Sequence, residues 1–312
     1  MKSIEILKEY GMMGEKQTKV STYILNQNPM KYEKEYGAEF IYWTDEMFVD
    51  FFICKLKYYK MFSLGNVISR YHAFCRYCAD QGYIRSNPLD NSMYFTYMYL
   101  INKIVSSGNL SFYTREDVIN RCAESEEKFP YYLSVALSVL EGIRDYKTLS
   151  ALKLSDVDFE TGKLRRIAGI VLSKELLNAY TQMHDMLYFK SSEKRKDMFD
   201  DSEGYLIRRI IQPGEKHSNS ATAANVLASH MNKLGFRQTV LYDSGVIQRV
   251  CALMGRDKFT AYMCPESVSK AQKIQNNKEI GQILHTLGIP MSVKNFVYDY
   301  RVYALAMKYQ II

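Results

Sequence analysis

Cations at defined places along the chain are its most chemically suggestive residues. Arg144 stands two positions after Gly142, directly behind a strongly apolar stretch, so a guanidinium is held where a buried helix stops. Lys163, Arg165 and Arg166 follow the run Asp158-Phe159-Glu160-Thr161-Gly162, which reads as a hairpin turn. Arg208 and Arg209 lie in Tyr205–Ile210, a short strand candidate. Such residues can grip a polyanion, because the guanidinium fork meets two phosphate oxygens at once. Upstream, Lys55, Lys57 and Lys60 on one helix, and Asn66, Arg70 and Arg76 on the next, form a second set of polar and cationic side chains that can reach solvent or a phosphate. His72, Cys75 and Cys78 share a helix face at spacings of three, but a zinc site needs a fourth ligand and a matching pair. Core packing is the preferred reading of these cysteines, and no metal or cofactor is expected.

The elements that position Arg144 are legible around it. Leu133, Leu137 and Leu140 form one helical stripe and Tyr132, Val135 and Val139 another, so the preceding helix is apolar on two sides and must be buried. A second short helix carries Leu149, Leu152 and Leu154. A chain of 312 residues suggests two domains, and 47% apolar residues can fill their cores. Basic residues exceed acidic ones by 41 − 34 = 7, the sign that a polyanion partner requires. The 26 tyrosines can stack on nucleic acid, although packing between helices is the favoured role for most. The N-terminus interleaves charge with apolar residues and resembles neither a signal peptide nor an anchor, and no apolar run reaches the ~18 residues that span a bilayer. A cytoplasmic protein with reduced cysteines, without a membrane partner, is expected.

Residues 140–159 resemble the first signature box of the tyrosine recombinase (phage integrase) superfamily. The matches are Gly142-Ile143-Arg144, then Leu149, Leu152 and Asp156-Val157-Asp158 entering the hairpin, with Lys147-Thr148-Leu149 where the family usually carries Glu-Leu. Helices beginning at Thr44 and Ser63, a third over 92–105, and the closing run Tyr83 to Leu89 with its Asn87-Pro88 resemble the superfamily's core-binding domain. The resemblance implies a mainly α fold with a small β-hairpin or sheet (α+β). A helical, SAM-like core-binding region would cover 1–106. A polar join would occupy 107–112, and a domain of the recombinase catalytic type would run over 113–312.

The remaining chain reads as further helices. Thr114 to Asp117 is a capping-box-like start, Ser173 opens a helix, and Ser220–Leu234 is a helix closed by Gly235. Ser191–Glu203 reads as a charged loop, Asp243–Met254 as a helix that Asp243 would cap, and the C-terminal part as helical with a break at Gly288-Ile289-Pro290.

The resemblance also implies a chemistry: a tyrosine attacks the scissile phosphate while two arginines, a lysine and histidines stabilise the added charge. Preorganised donors of this kind supply roughly 2.7–4 kcal/mol each. The second family box, His-x-Leu-Arg-His, aligns best with Thr239-Val240-Leu241-Tyr242-Asp243. That alignment puts Thr239 at the histidine and Tyr242 at the arginine, and no His-x-x-Arg occurs in residues 200–312. Arg237 and Arg249 are the arginines available to substitute. Lys163 comes early for the catalytic lysine, His285-Thr286-Leu287-Gly288 is a displaced version of a later box, and Tyr298, Tyr300 and Tyr303 stand where a nucleophile would. Only Arg144 matches well. The expectation is a non-catalytic, sequence-specific binder of double-stranded DNA, a (pro)phage transcriptional repressor occupying operator sites to maintain lysogeny. The alternatives are an active or weakly active recombinase, or a helical interaction protein. The sequence leaves open a homo-oligomer, through exchange of 291–312, and an antagonist protein or peptide.

Overall fold

In a computed structural model the chain is mainly helical with two small antiparallel sheets among the described residues. These are all residues except 1, 56–60, 91–95, 109, 193–194, 212–219 and 265–268, and the side chains of 55, 61–63, 97, 220 and 221 are also outside the description. The chain divides into two units, Met1–Leu110 with Lys294–Ile312, and Ser111–Val293. The break after Leu110 lies inside the expected 107–112 join. Residues 294–312, expected in the second domain, group instead with the first.

The first unit begins with α1 (Ser3–Met12), α2 (Glu15–Gln27) and α3 (Met30–Tyr36). Asn28, at φ 52°, turns the chain at the Asn-Pro break between α2 and α3. Thr44 opens α4 (Asp45–Asp50) by accepting a 3.3 Å hydrogen bond from the Met47 amide. The helical path continues as one π-type stretch over Phe51–Lys55. Next come α5 (Met61–Asp80) and α6 (Tyr97–Ser106), the latter capped by Thr96. Leu56 and Tyr59, apolar positions that the sequence places on the helix beginning at Thr44, and the start of the 92–105 helix lie outside the described residues.

The core of this unit is aromatic. Trp43 meets Tyr36, Phe40, Phe48 and Phe51 with ring centroids 5.0–6.2 Å apart, and its Nε1 donates to the Ala38 carbonyl at 2.9 Å. Tyr71 is fully buried against Phe48, Phe51 and Phe52. Many tyrosines are therefore packing residues. Cys75 and Cys78 are buried here, and burial pushes the Cys78 thiol up to about 12. His72 is held 2.8 Å from Asp90.

The second unit opens with α7 (Arg115–Ala123), whose capping box joins Thr114 and Asp117 reciprocally at 2.8 and 3.0 Å. At its centre is α8 (Phe129–Leu140), buried from Tyr131 to Leu140 as its two apolar stripes require. Around it stand α9 (Tyr146–Ala151) and α10 (Lys174–His184). Strands β1 (Phe189–Ser192) and β2 (Arg195–Asp197) pair antiparallel, as do β3 (Phe199–Asp200) and β4 (Arg209–Ile210). The helices α11 (Ser220–Lys233), α12 (Gln238–Met254), α13 (Arg256–Met263) and α14 (Lys270–Thr286) follow. The last helix, α15 (Val293–Lys308), falls with the first unit from Lys294 onward.

Three local expectations need correction. The charged segment 191–203 contains strand residues of β1, β2 and β3, not only loop. Arg195 and Lys196 stand exposed on a hairpin, so no apolar alternation announces it, and buried Phe189 and Phe199 flank it. The strand expected over 205–210 is confined to Arg209–Ile210. Helix α12 begins at Gln238, five residues before the expected start, so Asp243 is not a cap but a buried residue inside the helix.

Two glycines fix how these elements meet. A Cβ on Gly245 would come 1.7 Å from the Leu140 carbonyl oxygen, so α12 crosses the end of α8 with its backbone nearly touching. The hairpin reaches the end of α14 in the same way, since a Cβ on Gly169 would lie 2.4 Å from the Gly288 amide nitrogen.

Candidate nucleic-acid interface

Arg144 is placed by a helix stop and a helix start. Gly142 has φ +123°, a conformation that side chains resist, and buried Ile143 donates its amide to the Ser138 carbonyl at 2.9 Å. Asp145 then caps α9 through the Thr148 amide at 2.7 Å. Between these fixed points Arg144 points to solvent. Its carbonyl accepts from Gln238 Nε2 at 3.1 Å, which ties the turn to the first residue of α12.

Helix α12 brings two more groups to this turn. Tyr242 and Arg249 are seven residues apart and so share a helix face. The Arg249 guanidinium lies over Gly142, where an added Cβ would meet its Nη1 at 2.6 Å, and its Nε donates to the Gly245 carbonyl at 3.3 Å. Burial raises the Tyr242 hydroxyl above its ordinary value, against the opposing pull of Arg249 and Arg144 and a hydrogen bond from Arg249. Arg144, Tyr242 and Arg249 thus form one cluster carrying two positive charges.

The hairpin after Asp156 presents the next cations. Asp158 folds the turn by accepting from the Glu160 and Thr161 amides and the Thr161 hydroxyl, and the hydroxyl bond above all holds its carboxyl below the ordinary range. Val157 bridges Leu164 and Lys163 bridges Val171, so the hairpin is real but only bridge-deep. Lys163, Arg165 and Arg166 are all exposed on it. Arg166 Nε is held 2.8 Å from buried Asp156, with 64% of its side chain open to solvent. Lys163 and Arg249 line one cavity of about 550 Å³, which joins the hairpin to the cluster at Gly142.

Arg208 and Arg209 have other tasks. Both are 8% exposed. Arg208 grips Asp201 with Nε and Nη2 at 2.7 and 2.6 Å, lies 4.1 Å over Phe199, and donates to the carbonyls of Met183, His184 and Met186. It thereby satisfies the open carbonyls at the C-terminus of α10. Arg209 donates to the Ser150 carbonyl at 2.9 Å and lies 3.3 Å over the Tyr205 ring. Committed to internal acceptors, neither belongs to a solvent-facing phosphate surface. Their neighbours Leu206, Ile207 and Ile210 are buried, and that apolar setting was the available signal.

In the first unit, Asn66 is exposed, Arg70 lies 3.9 Å over the Tyr23 ring, and Arg76 stays 61% open beside Asp90 at 3.5 Å. Lys57 and Lys60 lie outside the described residues, as does the side chain of Lys55.

The degenerate positions separate. Thr239 is exposed in the first turn of α12, Arg237 is exposed just before it, and Tyr242 joins the Arg144 cluster. Tyr298, Tyr300 and Tyr303 lie on α15 in the first unit, where Tyr300 is 1% exposed and stacks on Phe296 at 4.8 Å, a core arrangement. Of the histidines, His184 contacts the Leu206 carbonyl and His230 is stacked on Phe189. Arg249 was legible only as a substitute arginine, and its seven-residue spacing from Tyr242 was the clue to its partner. Compared with family models and with curated proteins, the sequence matches none.

Proposed function

We propose that the chain is a non-catalytic, sequence-specific double-stranded DNA-binding protein of the tyrosine-recombinase type, acting as a (pro)phage transcriptional repressor that occupies operator sites. The observation that carries this reading is the Arg144–Arg249–Tyr242 cluster, flanked by exposed Lys163, Arg165 and Arg166 on the adjoining hairpin. These cations suit a phosphate backbone, which dominates affinity for duplex DNA without needing any nucleophile. Sequence specificity and repression rest on the family resemblance. A gel-shift screen over fragments of the source genome tests the reading. It predicts one or a few fragments bound well above background, with affinity falling steeply as salt rises; uniform weak binding to all fragments contradicts it.

Arg249 favours a second reading, a weakly active recombinase, because it brings a second arginine to Arg144. That reading predicts a covalent protein–DNA adduct on nicked duplex. The first reading predicts none.

A further inference from the structure

The cavity that joins the hairpin to α12 has two unlike sides. Apolar groups from three elements form most of it: Leu164, Ile167 and Ile170 from the hairpin, Leu253 from α12 and Leu287 after α14. The close approach of Gly169 to Gly288 seals the hairpin against the end of α14. Two residues at its mouth, Val171 and Leu253, are 62% and 54% exposed, an unusual solvent cost for large apolar side chains lining one hollow. Its charged groups are both positive, Lys163 and Arg249. Lys163 has no carboxylate partner among the described residues.

We propose that this cavity is a binding site for a small amphipathic monoanion, with its apolar body against Leu164, Ile170 and Leu253 and its carboxylate on Lys163 and Arg249. At about 550 Å³ the volume is suited to a small molecule, since ligand sites run from roughly 300 to 1,000 Å³ with apolar walls and a few placed polar groups. The like sign of the two cations selects an anion, and the apolar walls reject a small hydrophilic one such as acetate. Arg249 also touches Gly142 and hydrogen-bonds Tyr242, so the ligand and a DNA phosphate draw on the same guanidinium. Binding of either then weakens the other, and the coupling is reciprocal. This second part rests on the DNA-binding reading; the site itself does not.

Calorimetry on the full chain with decanoate, decan-1-ol and acetate tests the site. Decanoate is expected to bind saturably at one site, with decan-1-ol and acetate each weaker by about tenfold or more. Leu253→Asp and Val171→Asp should each weaken decanoate by a similar factor, while Leu187→Asp, at an exposed position outside the cavity lining, should leave it unchanged. Thermal melts of all three variants establish that they are folded. Absence of saturable binding, equal affinity for decan-1-ol, or indifference to both cavity substitutions would overturn the site. Adding decanoate to a protein–duplex complex should lower duplex affinity severalfold. An unchanged duplex affinity removes the coupling, whereas a chain that binds decanoate and no duplex removes the DNA reading and leaves the site standing.

Discussion

The Arg249 guanidinium rests on Gly142: a Cβ at that glycine would stand 2.6 Å from Nη1, in a backbone conformation of φ +123°. One glycine therefore does two things. It lets α8 stop so that Arg144 emerges, and it leaves the space in which a second arginine can stand beside the first.

Gly142→Ala should accordingly fail twice. The positive φ costs roughly 1–3 kcal/mol in strain, and the methyl group must displace Arg249. Urea unfolding should show the stability loss, and duplex affinity should fall further than Arg249→Ala alone produces. A variant of unchanged stability would contradict the geometry of this turn.

Gly245→Ala separates packing from helix propensity. Alanine favours a helix interior by about 1 kcal/mol over glycine, yet here its Cβ would lie 1.7 Å from the Leu140 carbonyl oxygen. Overpacking against backbone typically costs about 1–3 kcal/mol, so the net effect is destabilising. The urea midpoint should fall; a rise would mean that α8 and α12 cross with more room.

Much of this scaffold was readable in the sequence because its signals are local. Thr44, Thr114 and Ser173 cap helices where expected, each through an amide three residues on, and the two apolar stripes of α8 correctly imply burial on both sides. The site was less legible where long-range partners decide. Arg208 and Arg209 look like the cations of a short strand, but Asp201, the carbonyls of Met183, His184 and Met186, and the Ser150 carbonyl claim them. Helix α12 starts early, without any side-chain cap at Arg237, so cap-based reading found Asp243 instead. The grouping of Lys294–Ile312 with the first unit has no local signature.

Arg208→Ala should act on stability. Removing it leaves the Asp201 carboxylate and the α10-end carbonyls without their donor, at a cost of about 1–3 kcal/mol. Its effect on the salt dependence of DNA binding should be nil. A variant as stable as the parent but with a shallower salt slope would return Arg208 to the DNA-facing set.

His230 gives the second unit a pH dependence. It is stacked on Phe189 at 5.0 Å and edge-on to Tyr131 and Tyr132, and burial, followed by Lys233 and Lys128, lowers it to about 4 from an ordinary 6.5. Between those values the unfolded chain binds more protons than the folded one, so stability rises with pH. It is complete above about 6.5, declines as pH falls towards about 4 and is flat below, with a span of up to roughly 3 kcal/mol. Urea midpoints at pH 7, 5.5 and 4.5 should trace that decline, and His230→Phe should flatten it. A His230→Phe profile parallel to the parent's would refute this assignment.

The most direct measurement is the slope of log affinity against log salt for a bound duplex, in the parent and in Arg144→Ala, Arg249→Ala and Lys163→Ala. Each lost phosphate contact should reduce the slope by about 0.9, together with weaker binding; the urea midpoint should hold in Arg144→Ala and Lys163→Ala, whereas Arg249→Ala also loses its hydrogen bonds to Gly245 and Tyr242 and should lower it. Parent slopes and affinities retained in all three variants would contradict a phosphate-gripping role for the Arg144–Arg249 cluster.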